Sequence, residues 1–302
     1  MTASKNIIAI CVATHKRNSM LNNCLSSIKL IELPEDYKTI VIIMDNDVKE
    51  SARVTVEEAS VNSPIPIYYY VAAERGISSA RNHLLTKALN HESDLIAFID
   101  DDEFPKKNWL LKLLSALKQY RADVATGPVI SLTEEGINIS TTEKKYLTGQ
   151  QPRKVSTNNV LFKNKLIKED QLDFDLALNF TGGEDFDFFS RSQSKGNVHV
   201  WIDSAIVYET IAKERTAKKY LFFRHFTGGI NNVIQYKINN GLFLSWLHFL
   251  LKATGKVIGA ILAMVSYLLT FNKKTLEKSM IKFASAVGYI CGLLNIIVER
   301  YR

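Results

Sequence analysis

The sequence predicts an α/β protein built on an open, mostly parallel sheet, followed by a basic and apolar helical region. Three observations carry this expectation. Short apolar runs alternate with helical stripes through the first half of the chain. Polar and acidic clusters stand directly after three of those runs. The charge balance also changes sign: from Ile211 onward there are 14 Lys+Arg against 3 Asp+Glu, while the remainder holds 24 against 28.

Ile7–Ala13 is apolar without interruption, as expected of a parallel strand covered on both faces. The polar turn Thr14–Asn18 leads to a helical stripe of Met20, Leu21, Cys24, Leu25 and Ile28. Thr39–Met44 reads as the second strand and ends in Asp45-Asn46-Asp47. Ile67–Val71 is the third, followed by Glu74-Arg75-Gly76 and a helix bearing Ala80, Leu84, Leu85 and Ala88. Leu95–Ile99 is the fourth and runs straight into Asp100-Asp101-Asp102-Glu103. A helix with Trp109, Leu110, Leu113, Leu114 and Leu117 comes next, and Asp123–Val129 supplies a further strand. Such alternation implies parallel pairing through right-handed crossovers, with ligands gathered at the carboxyl ends of the strands.

At 302 residues, 46% of them hydrophobic, the chain can bury a full core, which excludes disordered and collagen-like classes. We expect one large domain over 1–235 and a helical region over 236–302. Met1–Lys5 is short and polar, unlike the start of a signal peptide. Cys11, Cys24 and Cys291 are odd in number and lack metal-ligand spacing, so free thiols in a reducing cytosol are expected.

Four carboxylates at one strand end repel one another unless a cation is close. Oxygen-only ligands there suit Mg²⁺ or Mn²⁺. The bland alternative is a solvated acidic turn ahead of a helix. No P-loop and no Gly-x-Gly-x-x-Gly is present. A second acidic cluster, Gly182-Gly183-Glu184-Asp185-Phe186-Asp187, reads either as helix capping or as a turn placing a general base.

Together these clusters resemble family 2 glycosyltransferases of the GT-A fold. The matching pieces are Val12–Arg17, Asp45-Asn46-Asp47, Glu74–Asn82, Phe98–Pro105 and Gly182–Asp185, in family order over about residues 6–230. The branch that builds bacterial surface polysaccharides, of succinoglycan type, is the one most resembled. It shares segments like Asn158-Asn159-Val160-Leu161 and Val207-Tyr208-Glu209 with the later Arg215 and Arg224.

The resemblance implies a GT-A type, Rossmann-like sheet and an inverting transfer of a sugar, a hexose above all, from a nucleoside diphosphate donor, with UDP favoured. Thr14, Arg17, Asp45, Arg81 and Asp100 would contact the nucleotide. Asp102, with Asp100, would hold Mn²⁺ or Mg²⁺. Asp185 would deprotonate the acceptor, supported by Glu184. Where many relatives carry a late metal-binding His, Glu209 stands instead, and His199 and His225 are assigned to packing. Donor and acceptor choice is expected to reside in Thr133–Ser156 and neighbouring loops.

In the tail, Leu242–Phe271 is apolar but interrupted by Lys252 and Lys256, and Met280–Val298 is a second apolar stretch. Gly255/Gly259 and Gly288/Gly292 have small-residue spacing that lets helices approach. The connector Asn272–Ser279 carries Lys273, Lys274 and Lys278. A two-span hairpin would place that basic connector across the membrane from a cytosolic donor, against the positive-inside tendency. Helices lying in the cytoplasmic leaflet of the cell membrane, among anionic lipids, fit better. A spanning hairpin, a soluble helical subdomain and a homo-oligomer interface are the alternatives. The expected partners are a nucleotide-sugar, a lipid-linked or glycan acceptor and the membrane surface, with no nucleic acid. Competing readings are a polyprenyl-phosphate sugar synthase, a non-catalytic assembly protein on the same fold, and an Asp-x-Asp phosphohydrolase. Phe104 stands where the phosphohydrolase motif needs Thr or Val.

Overall fold

The computed structural model describes residues 6–133, 136–138, 146–211, 217–296 and 298. The chain folds as two compact units: 1–179 with 184–210, and 180–183 with 211–302. The helix Lys218–Asn240, which crosses position 235, belongs wholly to the second unit.

In the first unit the order is β1 (Asn6–Thr14), α1 (Asn18–Ile28), β2 (Tyr37–Asp45), α2 (Arg53–Ser60), β3 (Ile67–Val71) and α3 (Ile77–Asn90). β4 (Leu95–Phe98), β5 (Glu103–Pro105), α4 (Trp109–Gln119), β6 (Val124–Thr126) and β7 (Val129–Leu132) follow. β8 (Val160–Lys163), α5 (Lys165–Lys168), α6 (Glu184–Ser194), β9 (His199–Trp201) and β10 (Val207–Thr210) complete it. Among the described residues, seven strands form one sheet in the order β3-β2-β1-β4-β8-β6-β9.

The pairs β3–β2, β2–β1, β1–β4 and β6–β9 are parallel, as expected. β8 departs from that pattern: it enters between β4 and β6 antiparallel to both. The expected strand over Asp123–Val129 also divides, because β6 joins this sheet while β7 pairs with β10 in a second sheet, β5-β10-β7. Pro128 has no N–H to continue a ladder, and it stands at the break between β6 and β7.

Alternation along β1 and β2 explains their unbroken apolar runs. Ile8, Ile10, Val12, Val41 and Ile43 enter one core, walled by α1, α2 and α4. Ala9, Cys11, Ile40, Ile42 and Met44 enter a second core on the opposite face, walled by α3, Phe174 and α6. Successive side chains point to opposite faces, so a sheet covered on both sides needs apolar residues at every position. Cys11 and Cys24 are buried free thiols.

The second unit consists of α7 (Lys218–Asn240), α8 (Leu242–Thr270) and α9 (Lys273–Leu293), packed together. α8 and α9 meet through the short turn Phe271–Asn272, where the Asn272 side chain caps α9 by accepting from Lys274 N–H at 2.9 Å. Lys273, Lys274 and Lys278 are therefore helical and not a connector. Of the two glycine pairs, Gly288/Gly292 is packed. A Cβ at Gly288 would lie 2.2 Å from the Phe226 carbonyl, and one at Gly292 would lie 3.0 Å from that of Ile230. Gly255 faces open space, whereas its partner Gly259 lies against Lys282 of α9, 3.0 Å from Nζ to an added Cβ.

Ser245, Phe249, Ala253 and Ala260 are the buried residues of α8, one narrow seam on a helix whose most apolar window is only 17% buried. Lys256 shares that seam by its spacing from Phe249, Ala253 and Ala260, and so does not lie on the uncovered apolar arc. Among the described residues only α8 is long and apolar enough to cross a membrane.

Candidate active site

The site grows from adjacent strand ends. In the parallel register Thr14 of β1 lies beside Asp45 of β2, and Cys11 beside Phe98 of β4. The turn Asp100–Glu103 therefore emerges next to Thr14–Arg17. Thr14 donates to Asp101 Oδ2 at 2.8 Å, and Arg17 Nη1 reaches Asp101 Oδ1 at 3.1 Å and Asp102 Oδ2 at 3.4 Å. Glu103 folds back to accept the Asp100 N–H at 2.9 Å. Thr14 and Arg17, expected at the nucleotide, are here bound to the acidic turn.

Arg81 of α3 approaches the turn from the opposite core. Its guanidinium is 3.5 Å from Asp100 Oδ1, bonds Glu184 Oε1, and lies over the Phe174 ring. α6 is fixed beneath by Phe188 and Phe189, which pack on Phe162 and Phe174. Glu184 and Asp185 occupy its first turn, where the helix dipole favours carboxylates. Gly182 and Gly183 precede them at φ 81° and 95°, a conformation that disfavours other residues. Within the second unit, the Thr181, Gly182 and Gly183 carbonyls accept from Asn231 and Gln235 of α7.

Charge crowding is visible in the protonation equilibria. Burial pushes Asp100 up to about 7; Arg81 opposes this, and Asp102, Asp101 and Asp185 add to it. The Asp100 side chain nevertheless keeps 44% of its surface accessible. Burial also raises Asp101, Glu103 and Glu184. Glu184 Oε2 is buried with no hydrogen-bond partner among the described residues.

The resemblance to family 2 glycosyltransferases implies a divalent cation at the turn. The donor set fits: the turn offers hard carboxylate oxygens close together, and burial raises the Asp100 carboxyl above its ordinary pKa. Among the described residues no three Asp, Glu, His or Cys side chains converge as a ready-made cage. Asp102 and Asp100 would therefore leave positions for water and phosphate oxygens, as suits Mg²⁺ or Mn²⁺.

Asp45 is the predicted residue that the structure keeps apart. It is fully buried and accepts from Asp47 N–H, Ala52 N–H and Tyr69 Oη–H at 3.0, 2.7 and 2.9 Å. Those bonds organise the loop after β2 and leave it no accessible surface for a base. Glu209 lies opposite Glu103 in the β5–β10 ladder and accepts from Ser131 at 2.5 Å. His199 is a core residue bonded to Ser192 at 3.0 Å, and His225 lies on α7. Arg215 and much of the loop 133–156 lie outside the described residues.

Three residues were not read as functional. Asn46 receives the Gly76 N–H at 3.0 Å and joins the second and third strand ends. Asn179 receives the Ser79 N–H at 3.0 Å, and a Cβ at Gly76 (φ 139°) would collide with it. Asn159 accepts from Trp109 Nε1 at 2.8 Å and donates to the Pro128 and Ala205 carbonyls. Asn46 and Asn159 stand in segments quoted for the family resemblance, whereas Asn179 carried no signal beyond its place in a turn.

This sheet, with an acidic turn after its central strand, is that of a GT-A glycosyltransferase. The mannosyltransferase PcManGT from Pyrobaculum calidifontis, solved with GDP-Man and Mn²⁺, superposes with a TM-score of 0.65 at 13% identity, over 97% of this chain and 88% of that one. S. aureus TarS 1-349 with UDP-GlcNAc gives 0.57 at 13% identity, over 98% and 93%. The family profile for glycosyl transferase family 2 matches residues 9–173, and the chain belongs to that family. It is 30% identical over 236 residues to the succinoglycan biosynthesis protein ExoM of Rhizobium meliloti (strain 1021), spanning 74% of this chain and 72% of that protein.

Proposed function

We propose that the chain is an inverting hexosyltransferase of cell-surface glycan synthesis. It moves a sugar from a nucleoside diphosphate, a UDP-sugar first, to a lipid-linked or polysaccharide acceptor. The observation that carries this reading is the Arg81 guanidinium between Asp100 of the acidic turn and Glu184 of the Glu184–Asp185 turn, which brings the two carboxylate clusters together. The kinship with ExoM supports the polysaccharide setting.

Asp102 and Asp100 would hold the divalent ion, which when bound supplies positive charge to the departing diphosphate. Arg17 keeps Asp101 and Asp102 in place and offsets part of their mutual repulsion. Asp185 takes the proton of the acceptor hydroxyl as that oxygen bonds to the anomeric carbon. The bond from that carbon to the diphosphate oxygen breaks in the same displacement, and the nucleoside diphosphate leaves with the electron pair. One attack on one face inverts the configuration. Glu184, pinned by Arg81, fixes the first turn of α6 and with it Asp185. The uncovered arc of α8, beside a strongly basic α9 start, supports attachment to the cytoplasmic leaflet.

The test is transfer from UDP-glucose, UDP-galactose, UDP-GlcNAc and GDP-mannose to a bacterial lipid extract, with the product anomer assigned by NMR. An inverted linkage from one donor is expected. A retained anomeric configuration would exclude the single-displacement mechanism.

A further inference from the structure

Trp201, the last residue of β9, lies in one register row with the strand that leads to the acidic turn. The row runs Phe98, Val160, Thr126, Trp201 across β4, β8, β6 and β9. Three inter-strand steps place Trp201 about 14 Å from Phe98, along the same strand ends from which Asp100 emerges. Val200 and Ile202 enter the core walled by α1, α2 and α4, so His199 and Trp201 point to the opposite face. There His199 meets Phe189 and Ser192 of α6, the helix whose first turn bears Asp185. Trp201 and Asp185 therefore belong to one face of the sheet.

The segment 146–157 is fastened along this edge. Trp201 N–H donates to the Gln150 carbonyl and the Trp201 carbonyl accepts the Gly149 N–H, both at 2.9 Å. Asp203 N–H donates to Thr148 Oγ1 at 3.1 Å, and Asp203 Oδ1 accepts from Trp201 Nε1 at 2.7 Å. Tyr146 packs on Trp201 with ring centroids 5.4 Å apart and planes at 55°, and its hydroxyl accepts the Arg153 N–H at 3.1 Å. Both rings stay half-buried. The segment then follows α6: the Pro152 carbonyl accepts from Gln193, and Lys154 Nζ lies 4.8 Å from the ring of Phe186, the residue after Asp185.

A half-exposed ring pair, fixed by main-chain bonds and rimmed by polar groups, matches a sugar, whose apolar C–H faces are edged by hydroxyls. Gln151, Arg153 and Lys154 are exposed along the segment and can donate to those hydroxyls. A nucleobase also stacks on aromatic rings, but Thr14 and Arg17, expected at the nucleotide, stand at the end of β1, on the other side of β4.

We infer that Tyr146 and Trp201 form a remote subsite for the acceptor, and that the acceptor is a chain of several sugars. Its reacting hydroxyl lies at Asp185, and sugars further along the chain pass Phe186 and Lys154 to reach the two rings. The inference rests on the reading of Asp185 as the base of a glycosyltransferase. It sets a glycan chain apart from a bare lipid phosphate as acceptor.

The test is calorimetric titration of the full-length protein with oligosaccharides released by mild acid from the bacterial lipid extract and separated by size. Mn²⁺ is present with whichever of UDP, GDP and dTDP binds, as measured first on the wild type. The four-sugar fraction is expected to bind at least about tenfold more tightly than the single-sugar fraction. Trp201→Ala should remove that advantage and leave single-sugar binding unaltered, whereas Trp201→Phe, which keeps a ring, should retain most of it. Equal affinity for the two fractions overturns the inference, and so does an advantage that survives Trp201→Ala. If Trp201→Ala does not fold, Tyr146→Ala decides in its place, and an undiminished advantage in that variant overturns the inference. Nucleotide bound with no preference for the longer chain removes the subsite alone, whereas no nucleotide bound strikes the transferase reading itself.

Discussion

Between residues 6 and 210 the chain buries charge, and between 217 and 298 it buries almost none. The first unit encloses Asp101, Glu103, Arg81 and Glu184 and answers each with a partner from a distant part of the sequence or from its own turn. The second packs on small residues, among them Gly229, Ala253, Ala260, Ser279, Gly288 and Gly292, and leaves one flank of α8 apolar and bare. Buried charge is expensive unless paired, so its concentration at one strand end marks a place where a cation or polar ligand is handled. A bare apolar helix is equally costly in water, so its length marks a place where something other than this chain supplies the covering.

Substitutions confined to one unit separate the two logics. The largest effect is expected from Asp185→Asn: removing the proton acceptor should lower kcat by about 10²–10⁴-fold with the donor still bound, read by steady-state transfer. Next is Arg81→Met, which strands Glu184 as a buried unpaired carboxylate and should cost about 3–5 kcal/mol in urea unfolding. Adding Glu184→Gln should restore part of that loss; no recovery would deny the pairing.

A pH effect of similar origin falls on His199. Its folded pKa is lowered to about 4 by burial, with Asp123 opposing, against an ordinary value of 6.5. A group depressed in this way is held neutral by the fold. Stability from it is complete above about 6.5 and is lost as pH falls towards 4, by roughly 3 kcal/mol. Asp100, raised to about 7, acts in the opposite sense, gaining relative stability as pH falls. The readout is therefore the difference in pH slope between wild type and His199→Asn, which should be flatter. The smallest effect belongs to the helical unit. Gly288→Ala gains about 1 kcal/mol of helix propensity but drives a Cβ into the Phe226 carbonyl, for a loss of about 1–3 kcal/mol. Its helix melt in detergent should fall while nucleotide affinity stays constant.

Much of the first unit was legible because each of β1 to β4 carries its own signal in consecutive residues. The acidic turn was legible for the same reason, as was the Gly182-Gly183 turn before Glu184 and Asp185. What could not be read depends on partners far apart in sequence. β8 is only Val160–Lys163, and its antiparallel place between β4 and β6 is set by neighbours rather than by its own pattern. Arg17 on Asp101 and Arg81 on Glu184 span 84 and 103 residues. Asp45 was expected at the nucleotide from the family resemblance. Its burial behind Tyr69 and the loop after β2 follows from folding that no local rule describes. In the tail, periodicity announced helices, but the close packing of Gly288 and Gly292 depended on α7.

The most direct test of the central claim is calorimetric titration of the full-length protein with UDP, GDP and dTDP, with and without Mn²⁺. The account predicts that one nucleotide binds, that Mn²⁺ strengthens it, and that Asp102→Ala abolishes the Mn²⁺ dependence. Binding that ignores both the metal and Asp102, or no binding by a folded protein, would contradict it.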